Sequence, residues 1–579
     1  MSAALEPELE RRARSWIDGD PDPETRAELL ALLESGSPEL AELLGPELDF
    51  GTAGLRAAVG AGPARMNVAV TVRAVRALAE HLLARVPDAA VLAAVVGYDA
   101  RPSSRKLAEA AVGVLLAAGV TVRWFEAPAP TPLVAYAARV LGTAAALVVT
   151  ASHNPREDNG LKVYGPDGAQ LVSPADADVA RRRAALGAAS SIARADLGAA
   201  RNGPRGARLE LVPDDLFGRY LNELEASLPP RFAGAAELRV AYTPLHGLGL
   251  EPVRGALTRR GFAAPAVVAE QADPDGSFPT LPFPNPELPG VLDRGLALAE
   301  TVDADILLAN DPDVDRLAAA ARSPSGRPHV FSGNEIGALL ADYVLEHAPP
   351  TPRPLFVTSV VSSPLLALIA EARGARVERT LTGFKWIWAA ARALEASAGV
   401  RFAFGCEEAL GYSVGRLVRD KDGISAAVWL AELAARCRAE QRTLLDRLHE
   451  LFRRHGAWSS AQVSLAFTGR AGMQAMLDAL ERFAGGPPAA LCGVPVLGFR
   501  DYRVGAEARP AWLGAQLLFE LELGPEARVL VRPSGTEPKL KIYADCREPL
   551  GPGGAPGSAA ERARQRAAAL AAQLAEQLR

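Results

Sequence analysis

VLAAVVGYDARP, residues 91–102, opens the pattern that decides the fold. Val91–Val96 reads as an apolar strand, Gly97-Tyr98-Asp99-Ala100-Arg101-Pro102 as a polar loop, and Lys106–Ala118 as an amphipathic helix. Gly119 ends that helix and Val120–Phe125 reads as the next strand. Strand, small-residue loop, helix, glycine and strand is the grammar of a βαβ unit, because parallel strands need a helical crossover to return to one sheet. The grammar returns at Leu238–Tyr242, Thr243-Pro244-Leu245-His246-Gly247 and a helix to Arg260 and Gly261. It returns again at Leu355–Val361, Ser362-Ser363-Pro364 and a helix to Arg373 and Gly374. Three occurrences, each over a hundred residues from the last, predict three related α/β domains.

Outside this repeat the chain reads differently. Residues 5–45 are helical in pattern: Leu29, Leu30, Leu32 and Leu33 recur at helical spacing, and Asp22-Pro23-Glu24-Thr25 has the chemistry of a helix start. After Gly456 the βαβ grammar stops. Val463–Phe467, Leu517–Leu523, Val529–Val531 and Leu540–Tyr543 read as strands, and residues 559–579 as a terminal helix, so a smaller α+β domain is expected. Ala189–Gly206 and Pro349-Pro350-Thr351-Pro352 read as surface connections. The expected division is 1–205 (N-terminal helices and α/β domain I), 206–325 (domain II), 326–455 (domain III) and 456–579 (α+β domain IV).

Bulk properties narrow the function classes. The 579 residues are 49% hydrophobic and 23% charged, with a net charge of -5, values of a globular chain with no basic footprint for nucleic acid or an anionic membrane. Any phosphate binding must therefore be local. Cys406, Cys437, Cys492 and Cys546 are scattered without a CxxC pair, which suits a reducing compartment. The N-terminus is polar and acidic, unlike a signal peptide, and no apolar run approaches a membrane span, so a cytoplasmic location is expected.

Four loops carry the chemistry. Thr150-Ala151-Ser152-His153-Asn154-Pro155-Arg156-Glu157-Asp158-Asn159-Gly160-Leu161-Lys162 follows the apolar strand Ala144–Val149, offering Ser152 at a strand end, where ligands bind in open α/β sheets. Pro155 and Asn159-Gly160 have the chemistry of a turn. Asp311-Pro312-Asp313-Val314-Asp315-Arg316 follows another strand, Asp305–Ala309, and puts carboxylates on alternate residues. Like charges repel by about 4 kcal/mol at 4 Å and intermediate dielectric. A hard divalent cation removes that conflict, and Mg²⁺ suits a few carboxylates plus a phosphate oxygen.

Gly383-Phe384-Lys385-Trp386 and Phe404-Gly405-Cys406-Glu407-Glu408-Ala409-Leu410-Gly411-Tyr412 are loops of the third repeat, whose paired glutamates suit vicinal sugar hydroxyls; alone, they read equally as a solvated acidic turn. Arg532-Pro533-Ser534-Gly535-Thr536-Glu537-Pro538-Lys539 offers a guanidinium, hydroxyls and glycine-exposed N–H groups, the donor set for a phosphate. Phe50-Gly51-Thr52-Ala53-Gly54-Leu55-Arg56 is a glycine-flanked turn that delivers Arg56 as a charge clamp. Lys421-Asp422-Gly423 reads as a turn before a helix to Cys437.

Together, Thr150–Tyr164, Asp311–Arg316, Gly405–Tyr412 and Arg532–Thr536 resemble the active-site loops of the α-D-phosphohexomutase superfamily, in that family's order and one per domain. The helical N-terminus, Gly51–Arg56 and Glu407-Glu408-Ala409 with Gly411-Tyr412 resemble its phosphoglucomutase/phosphopentomutase branch, which includes the glucose-1,6-bisphosphate synthases. The resemblance implies a four-domain heart-shaped fold, three α/β domains plus an α+β domain. It implies that Ser152 carries a transferable phosphoryl group and that Mg²⁺ bridges it to Asp311, Asp313 and Asp315. Glu407, with the Gly383 and Lys385 loop, would bind the sugar; Arg532, Ser534, Gly535 and Thr536 would hold the other phosphate. Arg56, His153, Lys162 and Arg316 match positions lining the reaction centre, with His153 and Lys162 both open as general base.

The implied activity is interconversion of glucose 1-phosphate and glucose 6-phosphate, with glucose 1,6-bisphosphate as intermediate and activator. Phosphopentomutase, phosphomannomutase and glucose-1,6-bisphosphate synthase are the alternatives on the same scaffold, and an inactive sugar-phosphate-binding regulator is the alternative without catalysis. Many hexose-specific members carry serine where Ala409 stands and glycine where Cys406 stands, which bears on the sugar and not on the phosphoryl chemistry.

Overall fold

The first sheet is built as the βαβ grammar requires. Its strands are β1 (Leu55–Ala58), β2 (Ala93–Tyr98), β3 (Thr121–Trp124), β4 (Ala145–Val149), β5 (Asp158–Tyr164) and β6 (Leu209–Leu211), in the order β1-β5-β4-β2-β3-β6. β2 is parallel to β3 and β4, with Tyr98 opposite Val149, so the loops after β2 and β4 leave the same carboxyl edge. The alanine, valine and leucine side chains of helices Val68–Leu83 and Ser104–Ala117 pack on this sheet in one apolar core. At about 25 cal/mol per Å² of apolar surface removed from water, such burial is the main force holding the loop ends in place.

The computed structural model describes residues 6–49, 51, 54–86, 92–197, 206–323, 326, 328–467, 472–534 and 539–579. They form two units. The first comprises residues 1–231, 239–317 and 417–428; the second comprises 232–238, 318–416 and 429–579. In the first unit, the N-terminal segment forms helices Pro7–Gly19, Pro23–Ser35 and Leu40–Leu43; the Asp22 carboxylate accepts from Glu24 N–H at 3.2 Å, the helix start read from its sequence. The same unit holds β7 (Val240–Thr243), β8 (Ala266–Val267) and β9 (Ile306–Asn310), with β7 parallel to both neighbours.

In the second unit, β10 (Leu317–Arg322) and β11 (Pro328–Val330) pair as a hairpin. β12 (Arg353–Ser359), β13 (Arg376–Thr380), β14 (Val400–Glu407) and β15 (Gly411–Val414) make a sheet in the order β13-β12-β14-β15. The C-terminal sheet is antiparallel throughout. It contains β16 (Ala457–Ala466), β19 (Gly498–Asp501), β20 (Phe519–Glu522), β21 (Ala527–Pro533) and β22 (Lys539–Glu548), beside a small hairpin of β17 (Ala490–Leu491) and β18 (Val494–Pro495). Helix Pro556–Gln577 lays Ala563, Ala567, Leu570 and Leu574 on it. Among the described residues, no helix is long and apolar enough to cross a membrane.

One local expectation fails. Asn159 and Gly160 do not form a turn: they lie inside β5, paired with Ala57 and Arg56 of β1. Glycine is required at 160 because a Cβ there would stand 2.4 Å from the Leu55 carbonyl oxygen and 2.7 Å from that of Thr150. Asn159 is buried and donates to the Ser103 and Ser104 hydroxyls at 2.7 and 2.9 Å.

Candidate active site

β4 ends at Val149 and the chain bends sharply at Ser152, whose φ of 53° is left-handed. A non-glycine residue there costs free energy and persists only where neighbours hold it. The Ser152 N–H donates to Thr150 Oγ1 at 2.8 Å, and Thr150 Oγ1 donates to Asp99 Oδ2 at 2.6 Å. The Ser152 hydroxyl is buried, 2.7 Å from Asp311 Oδ2 and 3.1 Å from His153 Nδ1. Burial, then the charges of Arg316 and Arg56, hold the His153 imidazole well below its ordinary pKa, so the ring is neutral.

The aspartate loop leaves the carboxyl end of β9 and curls through Val314, also left-handed at φ 65°. Asp311, Asp313 and Asp315 are all buried, and one carboxylate oxygen from each lies within 4.8 Å of the others. Several of their oxygens are held. Lys162, from β5, sets its ammonium 2.6 Å from Oδ2 of both Asp313 and Asp315. The Thr131 hydroxyl donates to Asp313 Oδ2 at 2.6 Å, Lys421 Nζ is 3.2 Å from Asp315 Oδ2, and Arg316 N–H donates to Asp311 Oδ1 at 2.8 Å. Asp313 Oδ1 and Asp315 Oδ1 are buried with no hydrogen-bond partner among the described residues. Unsatisfied anionic oxygens that converge in a dry site suit a hard cation. Burial and the charge of Asp315 raise the Asp311 and Asp313 carboxyls above their usual range. Burial works the same way on Asp315, but Lys162, Lys421 and Arg316 outweigh it and hold that carboxyl well below.

Two arginines flank this centre. Arg56 sits on β1 opposite Gly160, its Nη1 3.5 Å from the Asn154 side-chain oxygen. Arg316 Nε lies 4.0 Å from Asp311 and 3.9 Å from Asp315.

The second unit carries the other expected residues. Glu407 ends β14, and its Oε1 accepts from the Gly383 N–H at 2.6 Å. Gly383 has φ 122°, which explains the glycine. Lys385 lies 5.4 Å from the Trp386 ring centroid. Glu408 faces elsewhere, accepting from the Ser359 and Ser362 hydroxyls at 3.2 and 3.1 Å. Cys406 is buried, and burial pushes its thiol pKa up. Arg532, on β21, donates to the Tyr543 hydroxyl at 3.1 Å and the Pro533 carbonyl at 3.3 Å, while its Nε is buried without a partner among the described residues. The Ser534 N–H donates to the Lys539 carbonyl at 2.7 Å, closing the loop; Gly535 and Thr536 lie outside the described residues.

Comparison with known proteins fixes the family. The phosphoglucomutase/phosphomannomutase alpha/beta/alpha domain I matches residues 47–187, domain II 218–325, domain III 332–455, and the C-terminal domain 506–549. The chain belongs to the phosphoglucomutase/phosphomannomutase family. A Haemophilus influenzae protein named "Probable phosphomannomutase" is 37% identical over 83% of this chain and 93% of its own. Mouse phosphopentomutase is 33% identical over 94% and 92%, and a Staphylococcus epidermidis phosphoglucomutase 32% over 88% and 92%. The open form of a Paramecium phosphoglucomutase, pp63/parafusin, superposes with a TM-score of 0.66 at 16% identity, covering 92% of this chain and 95% of that one, which shows a shared fold. The enzyme is thus a phosphosugar mutase with the four-domain phosphohexomutase architecture.

Within each unit the candidate residues also have neighbours that the sequence did not single out. Lys421 reads as part of a turn, yet residues 417–428 pack in the first unit and bring its ammonium to Asp315. Thr131 heads helix Thr131–Val140, where its N–H donates to the Asp313 carbonyl at 3.0 Å besides its hydroxyl bond. Thr382, beside Gly383, has a buried Oγ1 with no partner among the described residues. The one available signal was chemical: a Lys-Asp-Gly before a helix and a Thr-Gly pair before another are polar groups at element ends.

Proposed function

We propose that this mutase interconverts glucose 1-phosphate and glucose 6-phosphate through a phosphoserine at Ser152 and a glucose 1,6-bisphosphate intermediate. The observation that carries this reading is the Ser152 hydroxyl, 2.7 Å from Asp311 beside the partnerless Oδ1 atoms of Asp313 and Asp315. Asp311, Asp313 and Asp315 would hold Mg²⁺ together with the phosphoserine, and the ion would neutralise charge on the transferring phosphoryl oxygens. In the first step the bond from Ser152 Oγ to phosphorus breaks and a bond from the free sugar hydroxyl to phosphorus forms. The hydroxyl proton goes to His153, a neutral imidazole 3.1 Å from Ser152 Oγ, and from it to the departing serine oxygen, which leaves Ser152 as its free hydroxyl. His153 suits that role better than Lys162, whose ammonium is bridged to two carboxylates. Arg56 and Arg316 supply positive charge where the transition state gathers negative charge. The bisphosphate then reverses, and Ser152 recovers the other phosphoryl group.

Glu407 takes the sugar hydroxyls, with Gly383 and Lys385 beside it, and Arg532, Ser534, Gly535 and Thr536 take the phosphate that is not transferred. The preference for glucose follows the name of the S. epidermidis relative. A pentose reading is favoured by Ala409, which offers a methyl where hexose-specific members present a hydroxyl, and by the name of the mouse relative. Intact-mass measurement with and without glucose 1,6-bisphosphate, followed by peptide mapping, tests the mechanism: one phosphoryl group is expected on Ser152. An unmodified Ser152, or full activity in Ser152→Ala, would sink it. Comparing kcat/KM for glucose 1-phosphate, mannose 1-phosphate and ribose 1-phosphate decides the sugar, and bisphosphate accumulation would mark a synthase.

A further inference from the structure

Arg101 belongs to none of the loops that the reaction itself requires, yet it is 3% exposed and both its terminal nitrogens donate to the serine loop. Its Nη2 donates to the Ser152 carbonyl at 2.8 Å and to the Asn154 carbonyl at 2.6 Å; its Nη1 donates to the Pro155 carbonyl at 2.5 Å and to the Asp158 carbonyl at 2.9 Å. Its Nε lies 3.2 Å from Asp99 Oδ2, the oxygen that accepts from Thr150 Oγ1. Both backbone groups of Ser152 are therefore rooted in this pair, the N–H through Thr150 and Asp99, the carbonyl through Arg101. The pair is itself braced. Asp99 Oδ1 accepts from Arg101 N–H at 3.1 Å, the Phe278 ring centroid lies 5.1 Å from the guanidinium carbon, and Gly276 packs where a Cβ would stand 2.3 Å from Arg101 Cα.

We propose that Arg101 is a positioning residue for phosphoryl transfer. By gathering four carbonyls it holds Ser152 in its left-handed conformation, with the hydroxyl directed at Asp311 and His153. All four acceptors are main-chain atoms, so the clamp fixes the loop's path irrespective of its side chains. Only a planar fork reaches four carbonyls spread over Ser152 to Asp158 while keeping Nε on Asp99; a lysine ammonium is a single point with three donors. Loss of the fork leaves the serine present but misplaced, and misplacement of about 1 Å costs about 100-fold in rate.

This inference rests on the phosphoserine reading, and the experiment separates the two. Steady-state kinetics and Ser152 phosphorylation by glucose 1,6-bisphosphate are measured on full-length wild type, Arg101→Lys, Arg101→Ala and Thr150→Val, with melting curves to count folded enzyme. Per folded molecule, Arg101→Lys is expected to lose about 100-fold in kcat with KM for glucose 1-phosphate changed less than about threefold. Added guanidinium is expected to restore part of the kcat of Arg101→Ala, and added ammonium none. Thr150→Val, nearly isosteric, keeps the proposal exposed if the arginine variants do not fold, because it cuts the link from the Ser152 N–H through Thr150 to Asp99 and leaves the four carbonyl contacts of Arg101 in place; a kcat loss of about tenfold at constant KM is expected. The proposal is overturned if folded Arg101→Lys or Thr150→Val keeps kcat within twofold, or if the loss lies in KM alone. If wild type itself neither turns over nor takes a phosphoryl group on Ser152, the mutase mechanism fails instead.

Discussion

The proposed phosphoryl centre of the first unit and the proposed sugar and phosphate loops of the second differ in how far each is assembled before a substrate arrives. Around Ser152 the groups are buried and interlocked. Lys162 bridges Asp313 and Asp315, Thr131 and Lys421 hold further oxygens, and Asp311 holds the serine hydroxyl. Among the described residues, Asp313 Oδ1 and Asp315 Oδ1 are left without a hydrogen-bond partner there, and a cation would take them. In the second unit Glu407, Thr382, Lys385, Arg532 and Ser534 are half-buried on three segments of the chain, with Glu407 accepting from the Gly383 N–H and Arg532 donating to the Pro533 carbonyl and the Tyr543 hydroxyl. Preorganised charge gives rate, because nothing reorganises at the moment of transfer, whereas partly exposed donors give recognition. On the proposed mechanism, the first region serves the bond that breaks and the second a ligand that must leave and return reversed.

The sharpest way to break that contrast is Asp313→Asn. It removes one oxygen charge from the cation site while Asp315 still pairs Lys162, so the fold should persist. A kcat loss on the order of 100- to 1000-fold is expected, with loss of Mg²⁺ binding by titration calorimetry and an unchanged circular dichroism spectrum. Near-normal turnover, or normal turnover of wild type in excess chelator, would show that the buried aspartates do not set the rate. Glu407→Gln probes the other region. One charge-assisted hydrogen bond contributes roughly 1.5–3 kcal/mol, so kcat/KM should fall about 10- to 100-fold. Mg²⁺ affinity should be unaffected. A matching loss of Mg²⁺ binding would mean the two regions are not separable in function.

A third measurement uses the titration of the first region. Burial and the charge of Asp315 raise the Asp311 and Asp313 carboxyls, so they take up protons at a higher pH than ordinary carboxylates, and a cation must displace those protons. Mg²⁺ affinity should therefore weaken as pH falls into the range where these carboxyls protonate, by up to about tenfold per pH unit for each displaced proton, and calorimetry there in buffers of different ionisation enthalpy should report proton release. A flat affinity profile would mean the aspartates are ionised throughout, and that Lys162 and Lys421 balance their charge more completely than the partnerless oxygens imply.

What was legible in the sequence follows the same division between local and distant causes. Apolar runs punctuated by glycine announced β2, β3, β4, β7 and β12 because those signals are local. The aspartates at 311, 313 and 315 were legible because three like charges on alternate residues demand a common explanation. Asn159-Gly160 misled because a pair common in turns here serves a close approach of three strands, which is set by β1, far away in the chain. Lys421 was hidden for the same reason: no local pattern joins residue 421 to Asp315. Glu407 and Glu408 looked alike, yet one ends on Gly383 and the other on Ser359 and Ser362, a choice made by the alternation of side chains at the end of β14. Arg101 read as a polar loop residue because its partners are main-chain carbonyls, which leave no trace in composition.

The smallest expected effect asks whether sugar choice resides in the second region alone. Ala409 lies two residues beyond Glu407, and Ala409→Ser introduces a hydroxyl there without changing charge and with little change in volume. One neutral hydrogen bond is worth about 1 kcal/mol, so the ratio of kcat/KM for glucose 1-phosphate over ribose 1-phosphate should rise by about fivefold. The rate of Ser152 phosphorylation should stay constant, because Ser152 and its partners all lie in the first unit. A change in that rate with no change in the ratio would reverse the assignment: position 409 would then act on the transfer step, and the division between a region for rate and a region for recognition would have to be drawn elsewhere.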